Sequence, residues 1–181
     1  MRGFASAAQT TFKDGFAAGR EAGNALSIHV AVLIEDLAFF LQDSEHAGTL
    51  SGQIESPLLG GVCVVSSGVF RLLPDTADLD RKVMYYQLYA TTPQQQQITF
   101  IGVKQVQQDA PFDLWRDTTT LFINIYRGHI DPLGAAQSDL WITGIISLGL
   151  RDFIDVLLRL RAVRADGNST LKGLAQFGKY F

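Results

Sequence analysis

The amino-acid sequence predicts a mainly β protein with a few short helices, built as an antiparallel up-and-down meander of about seven or eight strands. Runs of alternating or β-branched apolar residues follow one another from residue 25 to residue 150. Segments rich in Gly, Pro and Asp separate these runs. No long crossover helix lies between them, as parallel strands would require. We expect a closed, lipocalin-like barrel rather than a sandwich, because closure removes the unpaired edges of the meander.

The first 24 residues are small and polar, and we predict that they form a leader segment that packs on the domain. Residues 25–181 are predicted to form a single barrel domain with helices at its C-terminus. The first predicted strand covers 25–34 and leads into a short amphipathic helix over 35–43. Glu35 and Asp36 lie in the first turn of this helix, where negative charge is favourable.

Six further strands are predicted from the same alternation, and Gly68 is expected to bend the second of them. They cover 48–56, 62–73, 81–90, 98–106, 120–126 and 140–150. Two helices are predicted after them, over 151–163 and 170–181.

A weak internal repeat supports closure of the barrel. Residues 27–41 align without gaps with residues 143–157, so that the first and last long strands each run into a helix that begins at an Asp. In a closed meander we expect these two strands to be neighbours. Helix-start chemistry that arose twice explains the same repeat equally well.

Composition excludes several classes of function. The chain has 181 residues, of which 47% are hydrophobic and 18% charged, which is typical of one globular domain. The net charge is −3 and the basic residues are scattered, which argues against a nucleic-acid partner or an anionic membrane. No apolar run approaches the ~20 residues of a membrane span, and the N-terminus lacks the apolar core of a secretory signal. We therefore expect a cytoplasmic protein without a membrane span.

The sequence contains no motif for a metal, a nucleotide or a catalytic serine. His29, His46 and His129 have no metal-ligand spacing, and Cys63 is the single cysteine. No P-loop, dinucleotide-binding fingerprint or nucleophile elbow is present. We expect no metal and no cofactor, whereas catalysis as such stays open. His29, in an apolar strand, is either a barrel-lining residue or an acid/base group.

The stretch "DLWRDTTTLFINIY" (113–126) is the most unusual local pattern. Asp113 and Asp117 are four residues apart, which would place a carboxylate pair on one helix face, but the Arg between them favours an ion pair. The structural interpretation is that Trp115 anchors the segment and Asp117 accepts backbone N–H groups from the Thr residues that follow. In that interpretation Thr118 begins the entry into the strand.

Apolar and aromatic residues occur on both faces of several predicted strands. A barrel of this strand number is either filled by its own side chains or keeps a cavity for one small apolar ligand. For the second case, we select polar or aromatic residues on the strands as candidate ligand contacts. They are His29, Tyr85, Lys104, Thr120 and Asn124.

Four runs together resemble a domain found fused to flavin oxidoreductases of the glucose-methanol-choline type, the cholesterol-oxidase-like group. They are "MRGF", "SPLLGGVCVVSSGVFRLL", "GVKQVQQDAPFDLWRDTTTLFINIYRGH" and "LAQFGKYF". The resemblance covers nearly the whole chain, and its most specific part runs from Gly102 to Leu121. The flavin-binding and catalytic motifs of those enzymes are absent, so the resemblance implies an accessory domain in sterol or lipid-like redox metabolism.

Three functional hypotheses follow. The first is a non-catalytic accessory barrel that binds an apolar small molecule or docks beside a flavin oxidoreductase. The second is a small isomerase or cyclase for an apolar substrate, which requires His29, Lys104, Asp117 and Asn124 to converge in one pocket. The third is a structural or oligomerisation module, which predicts an exposed apolar patch, for example on the C-terminal helix.

Overall fold

A computed structural model describes residues 1–71, 81–107, 119–131, 139–149 and 152. Within these residues, eight antiparallel strands close into a barrel in chain order. The strands are β1 (Arg2–Ala7), β2 (Ala25–Leu33), β3 (Ala47–Ser56), β4 (Gly61–Arg71), β5 (Arg81–Thr91), β6 (Gln97–Gln107), β7 (Thr120–Arg127) and β8 (Leu140–Ser147). Two short helices are α1 (Phe12–Glu21) and α2 (Leu37–Gln42), and a 3-10 turn covers Pro57–Leu59. The predicted β-rich barrel is confirmed.

The N-terminal segment supplies a strand of the barrel. β1 pairs with β2 on one side and with β8 on the other, through Gly3↔Leu26 and Gly3↔Ile146 for example. β2 and β8, expected to be neighbours, are therefore separated by β1, and that expectation was wrong. Seven strands cannot close with every pair antiparallel, because alternating directions require an even number, and β1 completes the set.

Helix α1 lies against β1 and β8 at very short range. A Cβ atom at Gly15 would lie 2.3 Å from the Thr143 carbonyl oxygen, and one at Gly19 would lie 2.3 Å from the Ala5 oxygen. Only glycine allows this approach of helix backbone to sheet backbone. Thr11 caps the helix, since its Oγ1 accepts a hydrogen bond of 3.2 Å from the Asp14 backbone N–H.

Helix α2 begins where the acidic residues predicted it. The Asp36 carboxylate accepts hydrogen bonds from the backbone N–H groups of Ala38 and Phe39, at 2.8 and 3.0 Å. The helix buries Phe40 in the core. After the helix, the buried His46 ring places Nδ1 2.7 Å from the Phe40 carbonyl oxygen, which ties the connection to the helix.

Strand β4 has its irregularity slightly before the predicted bend. The register against β5 shifts between Val65 and Ser67, whereas the bend was expected at Gly68. Gly68 instead leaves room inside the barrel, because a Cβ there would lie 2.7 Å from the Leu88 Cδ2 atom. The glycine therefore serves packing between interior layers.

The middle of the barrel is filled by apolar side chains. Leu88, Phe100 and Ile123, on three successive strands, are 0% exposed. A side chain with no accessible surface borders no space that a water molecule could enter. Of the two alternatives that the sequence left open, a filled interior and a ligand cavity, these central layers have the filled interior.

Two predictions lie outside the described residues: the helices over 151–163, of which only residue 152 is described, and 170–181, and the turn that contains Trp115, Asp117 and Thr118. The residue after that turn, Thr119, is buried, and its carbonyl oxygen accepts a 2.8 Å hydrogen bond from the Leu148 N–H.

Candidate functional site

One charged side chain, Lys104, lies inside the barrel towards one of its ends. We call this the lower end, at which β1, β3, β5 and β7 begin and β2, β4, β6 and β8 finish, and we call the opposite end the upper end. Interior side chains near this end keep a little exposed surface, 6% at Phe70 and 8% at Met84, where the central layers keep none. Met84 on β5 lies opposite Lys104 on β6 in the strand pairing. The interior is therefore less completely sealed at the lower end than in the middle.

Lys104 is the one Lys, Arg, Asp or Glu that is buried among the described residues, with 4% of its surface exposed. Along β6, Lys104 lies on the same strand face as Phe100 and Gly102, so its side chain points into the barrel. Desolvation of the ammonium group lowers the pKa of Lys104 from 10.5 to about 8. At neutral pH the amine is therefore far closer to its neutral form than an exposed lysine would be.

The aromatic ring of Tyr86 lies beside the Lys104 amine, and the Phe70 ring packs on that of Tyr86. The Nζ atom lies 5.6 Å from the centroid of the Tyr86 ring, within the range of a cation–π contact. The Phe70 ring meets the Tyr86 ring edge to face, with 5.0 Å between centroids. Burial raises the pKa of the Tyr86 phenol well above 10.0, so the phenol stays protonated. Lys104, Tyr86, Phe70 and Met84 together are called the lower-end cluster below.

Glycine makes room beside this cluster. At Gly102, opposite Tyr86 in the strand pairing, a Cβ atom would lie 2.7 Å from the Leu121 Cδ2 atom. Leu121 therefore occupies the space over Gly102. Desolvation is the main cause that lowers the pKa of the Met1 amine, and the positive charge of Lys104 is a further one, so a second amine lies in the electrostatic surroundings of the cluster.

The predicted ligand contacts do not gather in one place. Tyr85, Thr120 and Asn124 are half-buried, and by strand alternation they face the outside of the barrel on β5 and β7. His29 is exposed on the outside of β2. Lys104 alone points inward.

The isomerase or cyclase hypothesis required convergence of its candidate residues. The described candidates, His29, Lys104 and Asn124, lie in three different environments. The remaining candidate, Asp117, lies outside the described residues. The three described candidates therefore do not form the single pocket that this enzyme hypothesis requires.

Asn124 belongs to a hydrogen-bonded row on the outer face. Its Oδ1 accepts a 2.8 Å hydrogen bond from the buried Thr143 hydroxyl, and its Nδ2 donates to the Tyr126 hydroxyl at 3.3 Å. Both polar atoms of the Asn124 amide are thus hydrogen-bonded to side chains of β7 and β8, which is a structural role. On the same face, burial is the main cause that raises the pKa of Tyr85 to about 12, and the Arg71 charge opposes it.

A second aromatic contact fastens the segment after β7 to this outer face. The Tyr89 hydroxyl accepts a 2.5 Å hydrogen bond from the Gln87 amide and donates to the Ile130 carbonyl at 3.3 Å. The His129 ring packs on the Tyr89 ring, with centroids 4.1 Å apart. The His129 side chain thus packs against the barrel from the segment that follows β7.

Sequence reasoning selected Lys104 but missed its neighbours. Met84 and Tyr86 were recognised as one face of their strand, opposite Tyr85, but the alternation does not say which face is inside. Knowing which β5 residue pairs with Lys104 would have selected them, but that register depends on where both strands begin.

Two other surfaces are apolar. A shallow groove of about 410 Å³ near the upper end is lined by Val62, Val64, Thr91, Thr92, Pro93 and Gln95. Val32, Leu33 and Phe39 are exposed around the end of β2 and in α2. Neither surface combines a charged side chain with burial, unlike the lower-end cluster. The C-terminal helix on which an apolar patch was expected lies outside the described residues.

Comparisons of the chain with known protein families, with curated proteins and with solved structures found no match. Among the described residues, no helix combines the length and apolar character that a membrane crossing requires. The same part of the chain contains no group of three or more His, Cys, Asp or Glu side chains arranged to hold a metal ion.

Proposed function

We propose that this barrel binds an amphipathic small molecule at its lower end, with the polar end of the ligand held at Lys104. We further propose that it does so without catalysis, as an accessory domain of cholesterol-oxidase-like flavin oxidoreductases. The lower-end cluster supports the first part of the proposal. The resemblance of four sequence runs to domains fused to those enzymes supports the second part.

The observation that carries the ligand proposal is the burial of Lys104. A lysine is rarely buried, because removing an ammonium group from water costs several kcal/mol unless it is compensated. Desolvation lowers the pKa of Lys104, which means that the interior disfavours its charged form. A titratable group perturbed in this way is a candidate for function.

The surroundings of Lys104 define the ligand chemistry. An ammonium group favours a carboxylate, a phosphate or a polarised carbonyl or hydroxyl oxygen. Phe70, Tyr86 and Met84 offer aromatic and flexible apolar surface to the adjoining part of the ligand. Because the central layers are filled, the ligand would enter only the lower part of the barrel and keep part of its apolar body near the rim.

A displacement assay tests this site. Dansyl-undecanoic acid would be bound to the wild-type protein and displaced by dodecanoate or dodecanol, with fluorescence as the readout. We expect Lys104→Met to weaken dodecanoate binding about tenfold or more, the loss of a charge-assisted hydrogen bond of about 1.5–3 kcal/mol. The matched control is Lys13→Met on the exposed face of α1. Equal dodecanoate affinity in the wild type and in Lys104→Met would contradict the site.

The association is tested separately. The purified chain would be mixed with a cholesterol-oxidase-like flavin oxidoreductase of the same organism and examined by size-exclusion chromatography with light scattering. Co-elution at a defined stoichiometry is the expected result. Independent elution at concentrations of tens of micromolar would refute a stable accessory complex and leave the ligand proposal to its own test.

A further inference from the structure

We propose that the last part of β2, at the lower end of the barrel, binds an extended basic peptide segment of a partner protein by strand addition. β2 continues to Leu33, whereas its ladder with β1 ends at Arg2↔Ser27. Beyond that point β2 pairs with β3 on one side, and no described strand pairs with its other side. This inference goes beyond the proposed ligand site and does not depend on it.

Backbone groups of two valines face the unpaired side of β2. The Met1 nitrogen donates to the Ile28 oxygen at 3.0 Å, and the Ile28 N–H donates to the Met1 oxygen at 2.9 Å. Since backbone groups alternate in direction along a strand, those of Val30 and Val32 point to the same side as those of Ile28. No backbone hydrogen bond on this side joins the two valines to another residue that the structure describes. Their N–H and C=O groups are therefore available to an added strand.

The side chains of β2 change in the same way where β1 ends. Leu26 and Ile28, which lie beside β1, are each 1% exposed. Val32 lies on the same strand face as these two residues, yet it is 44% exposed, and the adjacent Leu33 is 57% exposed. An added strand would cover Val32 with the apolar side chain opposite it. The edge therefore favours a segment with apolar residues at alternate positions.

The charge of this half of the barrel indicates the class of partner. Residues 21–70, which include β2, β3, β4 and α2, contain no Lys or Arg. Their acidic residues are Glu21, Glu35, Asp36, Asp43, Glu45 and Glu55. Glu35 lies two residues beyond Leu33 and is exposed, and within the described ranges it forms no ion pair. A Lys or Arg that precedes the pairing residues of an antiparallel segment would lie beside Glu35, which favours a basic segment.

A second copy of the chain fits this edge less well than a separate segment. Its own β2 belongs to the same acidic region, so two copies would bring like charges together. An antiparallel pairing of the two edges centred on Ala31 would also bring the second copy's chain beyond Leu33 against Ile28. Met1 already occupies that position. A short segment that ends beside Met1 avoids both conflicts.

Amide hydrogen exchange of the wild-type protein, followed by NMR, tests whether the edge is open. The N–H groups of Val30 and Val32 should exchange about tenfold or more faster than those of His29 and Ala31, which face β3. Equal protection of all four amides at every protein concentration would show that the edge is already covered, and it would overturn the proposal. This measurement requires no variant, so it does not depend on the folding of one.

A titration with a fluorescein-labelled synthetic peptide, followed by anisotropy, tests the occupant. The peptide Lys-Lys-Thr-Val-Thr-Val-Thr, amidated at its C-terminus, can place its two valines opposite Val32 and Val30 and its first lysine opposite Glu35. We expect saturable binding that slows exchange of the Val30 and Val32 amides. Methylation of both valine nitrogens of the peptide should weaken binding about tenfold or more, because two hydrogen bonds are lost. Methylation of the threonine nitrogen after each valine is the matched control, since those nitrogens point away from β2.

The remaining comparisons decide between partners. A peptide with two glutamates in place of the two lysines should bind several-fold more weakly, and equal affinity would overturn the basic character of the partner. Val32→Pro removes one N–H from the open side and leaves the β3 hydrogen bonds in place, so it should weaken binding of the lysine peptide. No saturable binding of that peptide up to about 1 mM would overturn strand addition. Protection of Val30 and Val32 that appears only as the wild type dimerises, judged by light scattering, would assign the edge to a second copy instead.

Discussion

The central layers and the lower end of the same barrel follow different physical rules. In the centre, Leu88, Phe100 and Ile123 have no exposed surface, and they pair across the strands with the glycine or apolar residues Gly68, Ile125 and Gly144. At the lower end, the same strands β5 and β6 carry Tyr86 and Lys104, and the interior keeps a small exposed fraction. The barrel thus combines a close-packed stabilising core with an interior position that burial makes unfavourable.

The difference shows which part of the barrel generates stability and which part reduces it. Apolar burial in the central layers is the main favourable term for folding, and a lysine ammonium in the same interior opposes it. Proteins commonly concentrate such locally unfavourable groups at functional sites. The contrast therefore locates a candidate site inside a barrel whose central layers are filled.

The largest expected effect comes from opening the filled centre. Phe100→Ala removes a fully buried ring and leaves a void that the surrounding strands cannot close, so we expect a loss of about 3–5 kcal/mol in the free energy of unfolding. Urea denaturation measures it. Phe39→Ala is the matched control, because Phe39 is 68% exposed and its truncation should change stability by less than about 0.5 kcal/mol. Similar losses in both variants would show that the central layers are not the stabilising core.

The next effect has the opposite sign and depends on pH. Lys104→Met keeps the length of the side chain and removes the buried charge, so we expect it to raise stability at pH 7 by about 1–3 kcal/mol. The pKa of Lys104 is about 8 in the folded protein, against the ordinary lysine value of 10.5 that applies to the unfolded chain, so the unfolded chain binds the proton more tightly. Wild-type stability should therefore rise relative to the variant between about pH 8 and 10.5, while the cost of burial is complete below pH 8.

Urea denaturation of both proteins at pH 7, 8.5 and 10 checks this expectation. The advantage of Lys104→Met should shrink steadily over the series. The control is Lys13→Met, which removes an exposed lysine from α1 and leaves the barrel interior unchanged. A Lys104→Met variant that is less stable than the wild type at pH 7 would contradict the view that Lys104 opposes folding.

The smallest effect tests whether close packing extends to the outside of the barrel at α1. Gly19→Ala places a methyl group 2.3 Å from the Ala5 carbonyl oxygen, so the helix must move away from β1. We expect a net loss of about 1–2 kcal/mol in the free energy of unfolding, although alanine is the better helix former. Thermal unfolding followed by circular dichroism measures it. Ala17→Ser, on the exposed side of the helix, is the control, and an unchanged or raised melting temperature in Gly19→Ala would rule out tight helix–strand contact.

The long strands were predictable because their alternation is strong. The predicted strand over 81–90 is Arg81–Thr91 in the structure, and the predicted helix after Asp36 begins at Leu37. β1 was missed because its inward positions are Gly3, Ala5 and Ala7, which are too small to produce a hydrophobic signal. At Gly3 a Cβ atom would lie 2.1 Å from the Ile145 carbonyl oxygen of β8, so glycine is required at that inward position.

The site was only partly predictable for a related reason. Lys104 stood out as a cation within an apolar run, but Tyr85 was selected where Tyr86 is its actual neighbour. The two tyrosines are adjacent in sequence and lie on opposite faces of β5, so the choice depends on a single step of register. His29 was selected because its strand is apolar, yet β2 turns that side chain outward to solvent.

By itself the sequence determined the β-rich meander, its strand positions, the cap of α2 and the absence of recognisable motifs for nucleotide or serine chemistry. These features depend on residues within a few positions of one another, so the local sequence pattern is enough to predict them. The tertiary structure alone decided which strand face is interior, that β1 closes the barrel, and that Lys104 lies over the ring of Tyr86 inside it. Those facts depend on contacts between strands far apart in the chain, and closure of the sheet sets all of them at once.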